Sequence, residues 1–435
     1  MPKIIKLSQF FLLLSIATIF TKIPSFHQYF RMSDLFLFIS FIFIVIAIVK
    51  KQILLWNEKK LIIMLLLVVG TNILGSILSL LSYKSLPLQY IVLNYGKMAS
   101  CLIIFIEIIL LSNQDKLLLK KSMLCFIASL IIIPISFILY KIGYMDHIMP
   151  DPFRFSGLLI DPNYFANFQI IPTLLLLFFI TKDNLNIKYK IILYLGFTLS
   201  IFTILWSSSR SGILGLLISI LLLLILFIKF SKTTKLRMVT IVIIVILAFP
   251  LSFMLIPKYR QIIKTQGEQE PSTVNHTTIN KLLIKKEIIK IEQEARIESF
   301  SNISTLTEEQ GRLDIWSDAI HFILKNPIGY GPGYNQIVNI HGDGEENRVV
   351  HNFELELLLQ GGIVLFVLFN FLFIKLLIKI YKKPNFKNFS EIHVLVAIMI
   401  GMLVSGLFLD LISQKWIWVI LAFIISYNVI PKTNS

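Results

Sequence analysis

Runs of about 20 consecutive apolar residues recur along this 435-residue chain, and a run of that length is what a helix needs to cross a hydrocarbon core about 30 Å thick. Twelve such segments can be marked, at about 7–23, 34–49, 61–81, 89–111, 122–140, 163–181, 189–206, 211–228, 238–256, 351–374, 391–409 and 413–430. Lipid offers no partner for exposed N–H and C=O groups, so a chain with this pattern is expected to fold as a bundle of helices. Composition points the same way. Hydrophobic residues make up 56% and charged residues 15%, against about 25% charged in an ordinary soluble domain, which excludes a soluble globular enzyme and a disordered chain. The expected fold class is an all-α polytopic membrane protein of about 12 transmembrane helices. Helices 1–9 would fall in 1–256, one long loop with amphipathic helices in 257–350, and helices 10–12 in 351–435. Lys3 and Lys6 precede an apolar run as in a signal peptide, but no small-residue cleavage site follows, so this run reads as a retained first helix. The two cysteines, Cys101 and Cys125, have no partner motif.

The formal charge of +16 is read with the topology. With the N-terminus inside, 22 of the 41 Lys and Arg fall in inside connections, 8 in short outside connections and 11 in the long loop. Basic residues gather on the cytoplasmic side during insertion, so both termini are expected in the cytoplasm and the long loop outside. The excess is then a topology signal, and no nucleic-acid partner is implied. Within the long loop, Thr278 to Phe300 has helical spacing of Ile, Lys and Glu, as in an amphipathic helix or a solvated spacer. A further helix should begin near Thr307, where Thr307 and Gln310 stand at capping-box spacing, and stop before Asn326-Pro327. The run Gly329-Tyr330-Gly331-Pro332-Gly333 reads as a tight turn; it lacks the strand and helix that flank a nucleotide-binding fingerprint.

Polar chemistry in such a chain has to come from the few charged groups near the membrane surface or inside the bundle. Arg210, in Trp206-Ser207-Ser208-Ser209-Arg210-Ser211-Gly212, interrupts two spans with almost no loop. Burying an arginine costs at least about 2.5–3.5 kcal/mol on insertion scales, so it either meets an anion or cavity, or snorkels to the interface. Arg154 precedes Asp161-Pro162-Asn163, which reads as a helix start with Pro in the first turn. That start is either a plain cap or, with its free N–H groups and Arg154 beside it, an anion or hydroxyl site. His351, in Val350-His351-Asn352-Phe353-Glu354, lies where the long loop returns to the membrane. It is either a structural interfacial histidine or a group able to take a proton from a hydroxyl. His341 with Asp343, Glu345 and Glu346 resembles a metal site only loosely and reads as an exposed polar turn.

Taken in order, Arg154-x-x-Gly157 with Asp161-Pro162-Asn163-Tyr164-x-Ala166, Ser209-Arg210-Ser211-Gly212, Gly311-Arg312-x-x-x-Trp316, Asn326-Pro327-x-Gly329-x-Gly331-x-Gly333, and His351-Asn352-x-x-Leu355-Glu356 followed by Gly361-Gly362 resemble the O-antigen ligase and polymerase superfamily. The motifs span about 150–380, and the likeness in topology extends over the whole chain. The resemblance implies a membrane glycosyltransferase fold of GT-C-like architecture and a glycan donor linked to undecaprenyl diphosphate. The glycan would pass to an acceptor at the outer face of the cytoplasmic membrane, with no nucleotide sugar and no cofactor. It also implies roles. His351 and Arg210 would be catalytic; Arg312 and Arg154 would hold the diphosphate, where the planar guanidinium suits paired phosphate oxygens; Asp161, Asn163 and Asn352 would contact substrate. The first outside loop, 22–33, has no carboxylate pair for a divalent metal, so metal independence is expected. The long loop is expected to close over the sugars. A repeat-unit polymerase is the preferred member, with membrane lipid around it and a chain-length regulator and a flippase as partners. A ligase acting on a lipid, wall or protein acceptor is the first alternative, and a non-enzymatic carrier of lipid-linked saccharides the second.

Overall fold

The computed structural model describes residues 1–19, 21, 31–53, 70–77, 88–115, 117–141, 154–157, 159, 161–181, 185–230, 307–334, 349–382 and 389–429. Among them the ordered elements are helical, and seven helices are long and apolar enough to cross a membrane. The expected span at 238–256, the amphipathic stretch 278–300 and the His341 turn lie outside the described residues, as does most of 61–81.

The bundle is built around one helix, α6 (Pro162–Ile180), of which 16 of 19 residues are buried. Its buried residues fall on every face, which is the pattern of a helix surrounded by others. Around it pack α4 (Leu118–Ala128), α7 (Ile187–Trp206), α8 (Arg210–Phe230) and α11 (Glu391–Gly406). A second group is formed by α1 (Lys3–Ala17), α2 (Met32–Val49), α3 (Leu88–Ser112) and α12 (Lys415–Val429); it joins the first where α12 meets α11 and α1 meets α4. Lipid and Leu side chains are equally apolar, so close packing and a few polar contacts have to hold helices together. Close packing is clearest between α8 and α11. A methyl group at Gly215 would fall 2.5 Å from the Gly401 carbonyl oxygen. The polar contacts are hydroxyl clusters: Ser200 Oγ donates to Gln169 Oε1 at 3.0 Å and shares a 2.6 Å contact with Thr173, joining α6 to α7. Ser8, Ser40 and Glu107 join α1, α2 and α3 in the same way, with Ser40 Oγ donating to Glu107 Oε2 at 2.5 Å.

The segment expected as one span at 122–140 is α4, a 3-10 turn at Ser129–Ile131 and α5 (Ile132–Lys141). Pro134 explains the break, because its ring crowds the carbonyl four residues back, that of Leu130. Helix α9 (Thr307–Lys325) begins and ends where the capping spacing and Asn326-Pro327 place it.

The largest departure from a straight span is α10 (Phe353–Tyr381). Gly362 sits at φ 68°, ψ −165°, outside helical geometry. Phe353 and Phe369 are in ring contact at 5.2 Å, and Asn370 Nδ2 donates to Glu354 Oε2 at 3.1 Å. Residues 16 apart in a straight helix would be about 24 Å apart, so α10 is a hairpin of two arms, 353–361 and 363–381. The second arm is the membrane-length one. The backbone groups freed at the bend are met by the glycine-rich loop after α9: Tyr330 N–H donates to Leu359 O at 2.7 Å, Gly331 N–H to Gln360 O at 2.8 Å, and Ile363 N–H to Pro327 O at 2.9 Å. Gly329, Gly331 and Gly333 all have φ near +90°, which lets the loop backbone lie against the bend where side chains would block it.

A methyl group at Gly362 would clash with the Pro327 carbonyl oxygen, and the left-handed φ adds strain for any L side chain. Gly362→Ala should therefore cost at least roughly 1–3 kcal/mol and lower the thermal unfolding temperature of the detergent-solubilised protein by several degrees. An unchanged melting temperature would contradict the hairpin.

Candidate functional site

The first arm of α10 starts at the far end from the bend, about 13 Å along nine helical residues, and there the chain carries His351. Five hydrogen bonds hold this start. Asn352 is the N-cap: its Oδ1 accepts from the Glu354 and Leu355 N–H groups at 3.0 Å each, while its Nδ2 donates to Leu407 O at 3.1 Å. On the other side Trp316 Nε1, on α9, donates to Val350 O at 3.0 Å, and Val350 N–H reaches the Tyr334 hydroxyl at 3.4 Å. Pinned from both sides, His351 adopts φ 47°, an uncommon value for a residue with a Cβ. Strain of this kind, held by surrounding contacts, is more frequent at functional positions than elsewhere.

His351 Nδ1 lies 3.3 Å from Asp410 Oδ1, in the turn between α11 and α12. The contact becomes an ion pair when the imidazole is protonated. Asp410 Oδ2 accepts from the Tyr164 hydroxyl, on α6, at 2.9 Å. The buried Glu356 stands one turn along α10 from Asn352: its Oε1 accepts from Gln360 Nε2 at 2.9 Å and its Oε2 from Ile412 N–H at 3.3 Å, which fastens the same turn to the arm. Burial alone would lower the His351 pKa, but contact with Asp410 and the charges of Asp410 and Asp161 outweigh burial and the opposing charge of Arg312, so it is raised above 6.5. The side chain is 43% exposed. With Nδ1 turned to Asp410, Nε2 is the ring nitrogen left to face a ligand.

The other sequence-derived residues gather at this end of the bundle in different capacities. Asp161 is the N-cap of α6, its Oδ1 accepting from Asn163 N–H at 2.6 Å and Tyr164 N–H at 3.4 Å, with Pro162 in the first turn as its sequence position suggests. Asn163 Oδ1 accepts from an Arg154 guanidinium nitrogen at 2.8 Å, and Arg154 Nε donates to Ser207 O at 2.8 Å. Arg154 thus ties α6 to the turn between α7 and α8, where Phe155 also stacks on Trp206 at 4.8 Å. Arg210 opens α8 directly after that turn and is exposed; Ser209 Oγ caps the helix by accepting from Gly212 N–H at 3.2 Å. Arg312 is exposed on α9, one turn before Trp316, and its charge is felt at His351. The structure therefore brings His351, Asp161 and Arg312 into one electrostatic neighbourhood. It links Arg154, Asn163 and Arg210 to that neighbourhood through the first turn of α6, and gives both polar ends of the Asn352 side chain to the protein's own backbone.

Sequence reasoning passed over Asp410, Tyr164 and Glu356 as site residues. Asp410 carried a usable signal, since it is the lone carboxylate in the short connection between two apolar helices, the same feature that singled out Arg210.

Two substitutions test this geometry. Asp410→Asn removes the charge that raises the His351 pKa while burial remains. If neutral His351 is the working form, the acid limb of the pH–activity profile should move to lower pH and kcat should fall by about 10²-fold; a limb shifted to higher pH would contradict the ion pair. Arg154→Gln removes two anchoring hydrogen bonds at the start of α6, so it should lower thermal stability, by roughly 1–3 kcal/mol, as well as activity. Loss of activity at wild-type stability would mean that Arg154 acts on substrate alone.

Residues 195–370 match the family described as O-Antigen ligase. No curated protein matches the chain.

Proposed function

We propose that the chain, whose residues 195–370 match the family described as O-Antigen ligase, is a glycosyltransferase that polymerises oligosaccharide repeat units linked to undecaprenyl diphosphate into a surface polysaccharide. The observation that carries this reading is the His351–Asp410 pair, at the start of the α10 hairpin with Arg312, Arg154 and Arg210 at the same end of the bundle. A sugar hydroxyl of the acceptor attacks the anomeric carbon of the donor. The carbon–oxygen bond to phosphate breaks, its electron pair leaves with the lipid diphosphate, and the hydroxyl proton passes to His351 Nε2. Asp410 holds the ring and balances the imidazolium that forms. Arg210 and Arg312 neutralise the charge growing on the diphosphate, a task for which preplaced guanidinium groups in a site of reduced dielectric are suited. With arginine in that role, the step needs no divalent metal. Asp161 and Asn163 shape the wall of the site through the cap of α6, and Asn352 sets the position of His351.

In this reading the site end of the bundle faces away from the cytoplasm and both termini face it, in accord with the distribution of Lys and Arg. The long loop 257–350 serves as the cover over the sugars. A flippase delivers the repeat units, and a chain-length regulator acts on the product. Ligation of a finished glycan to another acceptor is the second reading, favoured by the matched family's description as O-Antigen ligase.

The test is the surface glycan of a deletion strain complemented with wild type, His351→Ala or Arg210→Ala, resolved as a size ladder with membrane expression of each variant checked. The expected result is a single repeat unit on its usual acceptor in the deletion and both variants. Long chains that stay on the lipid carrier would indicate a ligase. Full ladders from both variants would overturn the site.

A further inference from the structure

A second cationic group lies in the same end of the bundle, outside the residues used so far. Arg31, just before α2, donates from one guanidinium nitrogen to Gln414 Oε1 at 3.3 Å and from another to the Ile19 carbonyl oxygen at 3.5 Å, with its central carbon 5.5 Å from the Trp416 ring centre. All three are neutral partners. Among the described residues the carboxylate that acts on Arg31, Asp34, is already engaged: one oxygen accepts from Lys415 Nζ and the other from the Arg31 backbone N–H at 2.9 Å. Lys415 is 4% exposed and also donates to Ser33 Oγ at 3.1 Å. Arg31, Lys415 and Asp34 therefore leave one positive charge without a counter-ion. Arg31 is part-buried, and neutral hydrogen bonds and a ring face offset less of the cost of taking its charge out of water than a bound anion would.

The position of this charge relates it to the reaction. Trp416, beneath Arg31, donates from Nε1 to Asn167 Oδ1 at 3.0 Å; Asn167 is one turn along α6 from Tyr164, which bonds Asp410, which pairs with His351. Lys97, on α3, is close enough to interact electrostatically with Arg31 and with Asp410 and Glu356. Arg31 belongs to the wall made by α2 and α12, and Arg154 and Arg210 belong to the wall at the α7–α8 turn. Cationic groups thus occur both on the α2–α12 side of this end of the bundle and at the α7–α8 turn. Glycosyl transfer between two lipid-linked units has a use for both: one phosphate group leaves, and the other stays attached to the attacking unit.

We propose that Arg31 forms a second phosphate subsite that holds the lipid-linked acceptor, separate from the arginines that hold the donor diphosphate. The inference rests on the polymerase reading, because only then does the acceptor carry a phosphate of its own. Arg31 positions the acceptor lipid and takes no part in bond making.

The test uses the full-length protein in proteoliposomes with three synthetic probes. The donor is an undecaprenyl-diphosphate repeat unit whose acceptor hydroxyl is methylated, so that it can only donate. The first acceptor is the same unit on undecaprenyl through a non-cleavable phosphonate, so that it can only accept. The second acceptor is the octyl glycoside of the unit, which has no phosphate. Arg31→Gln is expected to raise KM for the phosphonate acceptor at least tenfold, the worth of one charge-assisted hydrogen bond, with donor KM, kcat and use of the octyl glycoside unchanged. An unchanged phosphonate KM overturns the proposal, and so does an equal rise for donor and acceptor, which would assign Arg31 to the donor. If Arg31→Gln lacks wild-type thermal stability, Arg31→Lys carries the same test, since it keeps the charge and loses the planar fork: a smaller rise confined to the phosphonate acceptor supports the subsite, and none overturns it. The polymerase reading fails separately, if wild type leaves the phosphonate acceptor unextended while elongating another acceptor.

Discussion

Backbone hydrogen bonding at the bend of α10 is the constraint from which the rest of the site follows. A helix that breaks inside a membrane protein exposes N–H and C=O groups where water is scarce, and each group left unmet costs several kcal/mol. Here the freed groups of Leu359, Gln360 and Ile363 pair with Tyr330, Gly331 and Pro327. That pairing fixes the glycine-rich loop on the bend, and the loop in turn fixes α9, whose Trp316 holds the backbone just before His351. One hairpin thus places a histidine from one side of the bend and an arginine-bearing helix from the other. The glycines are needed because the two backbones approach closely: at Gly331 a side chain would collide with Ser76.

Electrostatics within the recess follows from what the backbone has arranged. Asp410 is shared by His351 and Tyr164, so a turn between α11 and α12 is connected to α6 and to α10 through one carboxylate. Around it the cations stand in separate groups, Arg154 and Arg210 by the α7–α8 turn, Arg312 on α9, and Arg31 with Lys415 by α12. None of the hydrogen bonds described joins two groups. Such spacing keeps like charges apart in a setting where water screens them weakly.

Local signals in the sequence were read well because their physics is local. The start of α6 at Asp161-Pro162 and the limits of α9 at Thr307 and Asn326-Pro327 depend on residues within one turn of the boundary, and the structure has them there. Among the described residues hydropathy also marked the apolar helices, although Pro134 and Gly362 divide two stretches that hydropathy alone treats as continuous. What escaped was set by partners distant in the chain. Asp410 acquires its meaning from Tyr164, 246 positions away, and Gly361-Gly362 becomes a hairpin only because the loop at 327–331 supplies donors and an acceptor. Asn352, expected to meet substrate, has its side chain committed to capping α10 and to Leu407, a use that its place before an apolar helix already permits.

The dependence of α10 on the chain that follows it has a consequence for biogenesis. The first arm is held to the α11–α12 turn by Asn352 with Leu407 and by Glu356 with Ile412, and both partners are synthesised after the arm itself. As the chain leaves the ribosome, the second arm of α10 can enter the bilayer on its apolarity alone, and the first arm can pair with the glycine-rich loop made before it, but its contacts at Asn352 and Glu356 wait until α11 and the turn after it have been made. The recess that contains His351 is therefore completed last, by the C-terminal helices closing over segments already in the membrane.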